Sequence, residues 1–351
     1  MQLILSSFIN SIAPGLLQLQ WLQKTPFKSK NESTHLFCCS VKMIAISVIS
    51  DKILLLLRYT HSLMPQIPDL IHLAIPGFIL LLVLEVVADS VMRRELYQFK
   101  DTAASLTMGI GNVMIGLGAK AMVLGIFTFV YKFALFHMGW TWWAWVLVFF
   151  ADDFSYYWFH RTSHECRFFW ASHVVHHSSQ RYNLGTALRQ TWTGTAMSWV
   201  FWLWMPLAGF PPMMIMTMQA ISLLYQFWIH TELIRRMGPL EAVLNTPSHH
   251  RVHHGSNHEY LDRNHAGILI IWDRLFGTFE PERARVIYGL TKNINSYNPL
   301  RIAFHEWADI WHDVRHAPTW QLKLNYIFGR PGWKQEQAAA ASSAKAIPAN
   351  P

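Results

Sequence analysis

The sequence predicts an all-α integral membrane protein, in which about four to five transmembrane helices form a bundle and a helical, histidine-rich cap lies on the cytosolic side. Three observations predict this fold class. Hydrophobic residues make up 52% of the chain and charged residues only 14%, against about 25% charged residues in a typical soluble protein. The apolar residues are gathered in five long runs, and the 19 histidines are concentrated between and after the later runs. This composition argues against a soluble cytosolic domain and against a mainly disordered chain.

The five apolar runs are each about long enough to cross the hydrocarbon core of a bilayer, which takes about 20 helical residues. In chain order they are Ile71–Val91, Thr102–Phe136, Trp140–Phe159, Trp192–Phe210 and Met213–Ile229. The second run is long for one span and predicts either one tilted helix or a broken pair. The Gly/Pro-containing segment Gly209–Pro212 separates the last two runs and predicts the tip of a hairpin.

The order of these spans predicts the membrane side of each connection. If the first three runs cross once each and the last two form a hairpin, His160–Gln190 and everything after His230 share one side with the Arg93–Lys100 turn. That side carries most of the basic residues, whereas the opposite connections contain essentially Lys132 alone. The positive-inside rule therefore places the histidines in the cytosol, at the endoplasmic reticulum of a eukaryote or the inner membrane of a bacterium. The scattered basic residues do not indicate a nucleic-acid partner.

The two ends of the chain differ from its apolar body. Residues 1–63 form an N-terminal extension for which two interpretations stay open: a genuine leader, or sequence upstream of a start at Met64. Residues 64–334 form the membrane-embedded domain, and the tail at 335–351 is expected to be disordered. The three cysteines, two of them adjacent, cannot build a disulfide framework.

The histidines stand in short motifs whose spacing matches one face of a helix. The chain contains an HxxxH motif at His160–His164, an HxxHH motif at His173–His177, a single His230 and a second HxxHH motif at His250–His254. Positions i, i+3 and i+4 of a helix share a face, so each motif is expected to point its imidazoles in one direction. Thr246-Pro247 is typical of an N-cap and a first helical residue, which predicts a helix through the last motif.

So many imidazoles on one side of a membrane indicate metal ligands. The candidates are His160, His164, His173, His176, His177, His230, His250, His253 and His254. Buried together without a metal, they would leave hydrogen-bonding groups unpaired. Nine nitrogens are too many for one tetrahedral zinc ion and suit two ions with open positions. Imidazole binds iron, copper and zinc alike, so the element stays open at this point.

Polar residues near the motifs are candidates for catalysis or for orienting the ligands. Glu165 adjoins the first motif and could supply a carboxylate ligand or orient an imidazole, with a solvated loop acid as the equal alternative. Asp153 and Asn183 could support the ligands, with solvation of a helix end as the alternative. His249 is a candidate extra ligand or supporting partner, and Asp273 is expected to pair with a nearby arginine.

Longer motifs surround the histidines. They include Asp153–Arg161, His176–Gln190, Gln226–Glu232, Asn245–Gly255 and Ile271–Glu280, within a region of about residues 70–333. In this order they resemble the fatty acid hydroxylase and sterol desaturase superfamily of membrane di-iron enzymes, and within it the alkylglycerol monooxygenases. The run Thr246–His254 is far more specific than HxxHH alone. One departure is His265, which stands where the family usually has tyrosine.

The resemblance implies a monooxygenase with two iron ions that acts on a lipid of the bilayer. Its reaction would be O₂-dependent hydroxylation of the alkyl carbon beside a glycerol ether oxygen, in ether lipid catabolism, with tetrahydrobiopterin as electron donor. An alternative is a sterol or fatty-acyl hydroxylase or desaturase of the same superfamily, fed by a redox protein. A non-enzymatic metal-binding protein or transporter is disfavoured, because transporters place ionisable ligands within spans and these histidines lie at span ends or beyond.

Overall fold

The computed structural model describes residues 70–333, and within that range the regular elements are helical. The α-helices are, in chain order, α1 (Leu70–Met92), α2 (Phe99–Tyr131), α3 (Trp142–Glu165), α4 (Arg167–His177), α5 (Leu184–Ala187), α6 (Gly194–Ser198), α7 (Trp204–Ala208), α8 (Pro212–Trp228), α9 (Pro247–His253), α10 (Ile271–Phe276), α11 (Pro299–His316) and α12 (Trp320–Phe328). Short 3₁₀ helices cover Trp199–Trp202, Gly238–Ala242 and His258–Tyr260, and β-structure in this range is limited to isolated bridges. The all-α class is therefore confirmed for residues 70–333, while the expectations for residues 1–63 and 335–351 fall outside the described residues.

Two helices in the described range are long and apolar enough to cross a membrane, namely Leu73–Met92 within α1 and the whole of α2. Only 11% and 17% of the residues in their apolar windows are buried, so neither is the core helix of a soluble fold. Exposed apolar surface on this scale is stable only when another apolar phase covers it. The second apolar run forms one helix of 33 residues rather than a broken pair.

The third apolar run continues without a break into the first histidine motif. The helix α3 begins after Thr141, whose side chain accepts a hydrogen bond from the Ala144 N–H, and it ends only at Glu165. One rigid helix therefore joins an apolar segment to the histidines at its carboxyl end. The fifth run forms α8, which starts at Pro212 and stops just before His230.

The fourth apolar run differs from the expectation of a continuous span. It is divided into α6, the 3₁₀ helix Trp199–Trp202 and α7, each only four or five residues long. Pro206 has no N–H with which to bond the carbonyl of Trp202, which accounts for the interruption between the 3₁₀ helix and α7. By length and composition, α1 and α2 alone among the helices in residues 70–333 meet the requirements of a membrane span.

The connection between α7 and α8 is the tight turn that the Gly/Pro segment predicts. Gly209 adopts a φ of 105°, a left-handed conformation that side chains other than glycine's rarely accept. A Cβ atom at this position would lie 2.0 Å from the carbonyl oxygen of Phe136. Glycine is therefore required both by the turn and by the close approach of the loop after α2.

The apolar core lies where α2, α3, α7 and α8 meet, and it includes Phe127, Val148, Met205 and Ile215. At the other end of α3, α4 packs against α3, α11 and α12. Arg167 at the start of α4 donates to Glu306 at 2.6 Å and to Asp313 at 2.9 Å, which ties α4 to α11. The histidine-bearing segments are thus held between the apolar bundle and the carboxyl-terminal helices.

Candidate metal centre

The fold gathers all nine candidate histidines into two groups, and the nitrogens within each group lie within 4.8 Å of one another. The first group contains His160, His164, His173, His177 and His253. The second group contains His176, His230, His250 and His254. Each group is mostly or entirely buried and could hold a metal ion.

Each HxxHH motif is divided between the two groups, which differs from the expectation that a motif points its imidazoles in one direction. In α4, His173 and His177 belong to the first group and His176 to the second. In the second motif, His250 and His254 belong to the second group and His253 to the first. Adjacent helical positions differ by about 100° around the axis, whereas positions four apart nearly coincide. The middle histidine of each motif, His176 or His253, is therefore the one that reaches the other group.

Within each group the imidazole nitrogens face one another. In the first group, His173 Nε2 lies 2.9 Å from His160 Nε2 and 3.0 Å from His177 Nε2. In the second, His230 Nε2 lies 3.0 Å from both His176 Nε2 and His250 Nε2. One nitrogen placed against two others cannot satisfy all their lone pairs through its single proton, whereas a shared cation can.

Backbone carbonyls hold the outward nitrogens of several of these rings. Four Nδ1–H groups donate in this way: His160 to His265 at 2.7 Å, His230 to Gln226 at 2.7 Å, His253 to Arg263 at 3.0 Å and His176 to Arg189 at 3.2 Å. A proton on Nδ1 leaves the Nε2 lone pair free and directed inward. The rings are therefore oriented as a metal ion between them would require.

The protonation states of the rings favour the same function. Burial, and then the neighbouring imidazoles, lower the pKa of His173, His177, His253 and His254 well below the ordinary histidine value. Neutral imidazole is the form that binds a metal. The buried Nε2 atoms of His164, His253 and His254 have no hydrogen-bond partner among the described residues. A cation bound by these nitrogens would satisfy their unpaired lone pairs.

The helix that carries the last motif forms where the sequence predicts it, over Pro247–His253. Thr246 occupies the N-cap position, but its side chain makes no capping hydrogen bond. The Thr246 hydroxyl instead lies 3.1 Å from the Ser248 hydroxyl and donates to Glu241 at 3.3 Å. Proline at the first helical position thus starts this helix without a side-chain cap.

Asp153 lies outside both histidine groups, although it is only seven residues before His160. Its carboxylate accepts hydrogen bonds from the N–H groups of Ile268 at 2.7 Å and Leu269 at 2.9 Å, and from Trp272 Nε1 at 2.9 Å. The loop held in this way also carries the His265 carbonyl that orients His160. In this structure Asp153 therefore contacts the loop behind the ligands.

Glu165 and Asn183 also contact groups other than the nine histidines. Glu165 is about one-third exposed and pairs with Arg161 Nε at 3.1 Å. Asn183 caps α5, where its side chain accepts from the Thr186 N–H at 3.2 Å and donates to the Leu96 carbonyl at 2.8 Å. It thereby joins the segment after α4 to the turn between α1 and α2.

Sequence reasoning missed the anchors of the loop at 265–273. Asp273 accepts hydrogen bonds from the N–H of His265 at 2.7 Å, the N–H of Ala266 at 2.8 Å and the hydroxyl of Thr278 at 2.6 Å. Among the described residues it therefore bonds to two backbone N–H groups and one hydroxyl rather than forming the expected salt bridge with an arginine. The three partners of Asp273 lie within eight residues of it in sequence. The one signal in the sequence was the tendency of aspartate to accept hydrogen bonds from nearby backbone N–H groups in turns.

His249 and His265 are buried near the site but belong to neither group. The His249 ring packs against Phe279 at 5.3 Å, and burial lowers its pKa to about 4. The His265 ring lies 5.0 Å from His164, centroid to centroid, and its Nε2–H donates to the Asp262 carbonyl at 3.1 Å. His265 is thus a direct neighbour of the first group, while His249 faces away from it.

A cavity of about 1310 Å³ opens against the histidines. Its walls include His164 and His177 of the first group, His254 of the second, and Trp170. Charged residues of α11, among them Glu306 and Asp309, also line it. The site is therefore accessible to a polar molecule from the side of the carboxyl-terminal helices.

Comparisons with known proteins agree with this geometry. Residues 145–278 match the model of the fatty acid hydroxylase family, a range that includes all nine histidines. The chain is 43% identical over 272 residues to the alkylglycerol monooxygenase of Homo sapiens, covering 76% of this chain and 61% of that protein. It is 41% identical over 270 residues to the alkylglycerol monooxygenase of Xenopus tropicalis, covering 76% and 60%.

A more distant relative is the ornithine lipid hydroxylase of Rhizobium tropici, which is 28% identical over 145 residues and matched over 40% of this chain and 44% of its own. The chain spans about three fifths of the length of the alkylglycerol monooxygenases that it matches. No solved structure matches it significantly. Residues 145–278 resemble a fatty acid hydroxylase domain, and this similarity covers the whole candidate metal centre.

Proposed function

We propose that this protein is a membrane di-iron monooxygenase that hydroxylates a lipid alkyl chain with O₂ and cleaves the ether bond of alkylglycerols. The observation that carries the proposal is the pair of buried histidine groups, whose nitrogens converge without any carboxylate among them. Such a donor set suits two transition-metal ions. The relatives named alkylglycerol monooxygenase support an ether-lipid substrate, and the resemblance of the histidine motifs to those of membrane di-iron enzymes supports iron.

Two iron ions held by the groups would supply the activation of O₂. One oxygen atom enters the substrate carbon beside the ether oxygen and the other leaves as water, which consumes two electrons and two protons from a donor. The hydroxylated carbon is a hemiacetal, which breaks down to an aldehyde and a glycerol. The protein holds the imidazoles through backbone carbonyls and admits the polar donor through the cavity beside His164 and His254.

Product analysis tests this function. Membranes that contain the protein are incubated with an alkylglycerol, O₂ and reduced tetrahydrobiopterin, each omitted in turn, and the aldehyde is measured. We expect aldehyde only in the complete mixture, and none from membranes that contain His176→Ala. Hydroxylation supported by a redox protein but not by pterin would favour the sterol or fatty-acyl hydroxylase alternative. Turnover without O₂ would contradict the monooxygenase proposal.

We further propose four to five spans, with the histidine cap on the cytosolic side. Support comes from the α1 and α2 helices and from the basic residues that follow the apolar runs. In a background with Cys38, Cys39 and Cys166 replaced by serine, we expect single cysteines at the exposed positions Gln180 and Glu259 to react with a membrane-impermeant maleimide from the cytosolic side. A cysteine at exposed His137 should react from the other side. Opposite labelling of Gln180→Cys and Glu259→Cys would contradict the shared cap.

His265→Tyr restores the residue that is usual in the resembled family, and we expect it to retain metal. His265 lies beside the first group without belonging to it, and tyrosine keeps a ring and a hydrogen-bonding tip. Changes to such supporting residues typically cost about 10–100-fold in metal affinity or activity. The check is the metal content of purified protein together with the rate of aldehyde formation. Loss of metal in His265→Tyr, with metal retained in His253→Ala, would move His265 among the ligands.

A further inference from the structure

A second cavity, of about 1080 Å³, lies next to the second histidine group. Tyr182 forms part of its wall and separates it from the imidazoles, since the Tyr182 ring centroid is 5.2 Å from that of His254 and 5.7 Å from that of His230. On its other side Tyr182 stacks on Tyr288 at 4.8 Å, with the rings 7° from parallel. The cavity is therefore distinct from the one that opens on the first group.

The charged residues around this cavity are predominantly basic. The lining arginines are Arg94, Arg181, Arg235, Arg236, Arg251 and Arg285, and the lining acids are Glu95, Glu232 and Glu282. The arginines come from five separate segments of the chain, so their meeting is a property of the fold. The six guanidinium groups outnumber the three carboxylates, so the cavity has an excess of positive charge. A bound anion would offset the repulsion among the arginines.

Part of this charge is already neutralised. Arg251 donates to both oxygens of Glu282, at 2.9 Å and 2.7 Å, and to the carbonyls of Thr231 and Ile234. Arg181 and Arg236 each donate to one backbone carbonyl, at 2.7 Å and 2.6 Å. These contacts hold the lining residues in place and use only some of the N–H donors of the lining arginines.

The remaining guanidinium groups are available to a ligand. Arg94, Arg235 and Arg285 are exposed, and among the described residues no acceptor contacts their guanidinium groups. Each presents five N–H donors in a planar fork that matches the oxygens of a phosphate. A carboxylate is also bound by arginine, but the charge excess suits a ligand with more than one negative charge.

The cavity also lies at one end of the two long apolar helices. Arg94, Glu95 and Leu96 belong to the turn that joins α1 to α2. If both helices cross the membrane as proposed, this turn lies at the level of the lipid headgroups. Phosphate groups are then the most abundant anions within reach of the cavity.

We propose that the arginine-lined cavity is a binding site for a phosphate-bearing ligand, carried by a glycerophospholipid headgroup or free in solution. The site depends on the cavity and its charges, and only the headgroup source depends on the proposed topology. The Tyr182 ring lies between a headgroup bound here and His230 and His254 of the second histidine group. The cavity thus provides an anchor for a phosphorylated lipid next to the candidate metal centre.

Isothermal titration calorimetry of the full-length protein in a neutral detergent tests this site without turnover. The probes are sn-glycerol 3-phosphate, inorganic phosphate and glycerol. We expect both phosphates to bind, glycerol not to bind, and the affinity to fall as NaCl is added. The double variant Arg235→Gln/Arg285→Gln should lose at least about tenfold in affinity, which corresponds to about 1.4 kcal/mol.

The matched control is Lys292→Gln/Arg301→Gln, which removes two exposed positive charges from the cavity beside α11. It should bind both phosphates as the wild type does, and both double variants should unfold at the wild-type temperature. Tighter binding of glycerol 3-phosphate than of inorganic phosphate assigns the site to headgroups, and equal binding assigns it to free phosphate. Failure of both phosphates to bind, or unchanged affinity in Arg235→Gln/Arg285→Gln, would overturn the proposal.

Discussion

Replacing His176 or His253 with alanine is expected to reduce monooxygenase activity to background and to lower the metal content of the purified protein. His176 belongs to the second group and His253 to the first, so the two variants test the groups separately. Each ring is oriented by a backbone carbonyl, and alanine supplies no donor in its place. The measurements are aldehyde formation in membranes and metal analysis of protein in detergent, where the wild type should hold about two ions per chain.

His249→Ala is the matched control, because it removes a buried imidazole from the same helix as His253 without touching either group. It should keep its metal. Reconstitution with iron should restore activity to the metal-depleted wild type, whereas zinc should not, because zinc has no redox chemistry. One ion per chain at full occupancy would contradict the two-ion hypothesis. Wild-type turnover in His176→Ala or His253→Ala would exclude that ring as a ligand.

The long apolar helices could be predicted from the sequence, because the length and composition of a local segment indicate such a helix. The helices α1, α2 and α8 accordingly lie where the runs indicate. The fourth run shows the limit of composition, because it is rich in apolar residues and yet is divided into three short helices, the last of which contains Pro206. Hydropathy averages over a window and does not register one missing N–H group.

The nine histidines could be predicted from spacing and number, since helical periodicity is a local property. Their division between two groups could not, because it depends on how α3, α4 and α9 are oriented about the site. The same limit applies to the polar neighbours. Asp153 is near the first motif in sequence, but its partners Ile268 and Leu269 lie more than a hundred residues away. Proximity in sequence therefore indicated that Asp153 supports the histidines, but the tertiary contacts were needed to show that it does so through the loop that carries His265.

Arg189 shows most clearly what local patterns leave out. It is 1% exposed and bonds to Asp101 at 2.5 Å, to Ser105 at 3.1 Å and to Ser178 at 3.0 Å. Its backbone carbonyl accepts the Nδ1–H of His176. A buried ion pair between the first turn of α2 and the segment after α4 thus adjoins the second histidine group, and no sequence motif marks the two partners as a pair.

Arg189→Met is expected to lower the free energy of unfolding by about 3–5 kcal/mol, because it leaves the Asp101 carboxylate buried without its cation. Unfolding in detergent, followed by tryptophan fluorescence, gives the stability, and metal analysis shows whether the second group is disturbed. The double variant Asp101→Leu/Arg189→Met removes both charges and should recover much of the loss, because apolar replacement of a buried ion pair is often nearly neutral. Arg301→Met, which removes an exposed guanidinium from α11, should change the stability by less than about 0.5 kcal/mol. A loss in Arg189→Met no larger than in Arg301→Met would show that the buried pair does not hold α2 to the segment that orients His176.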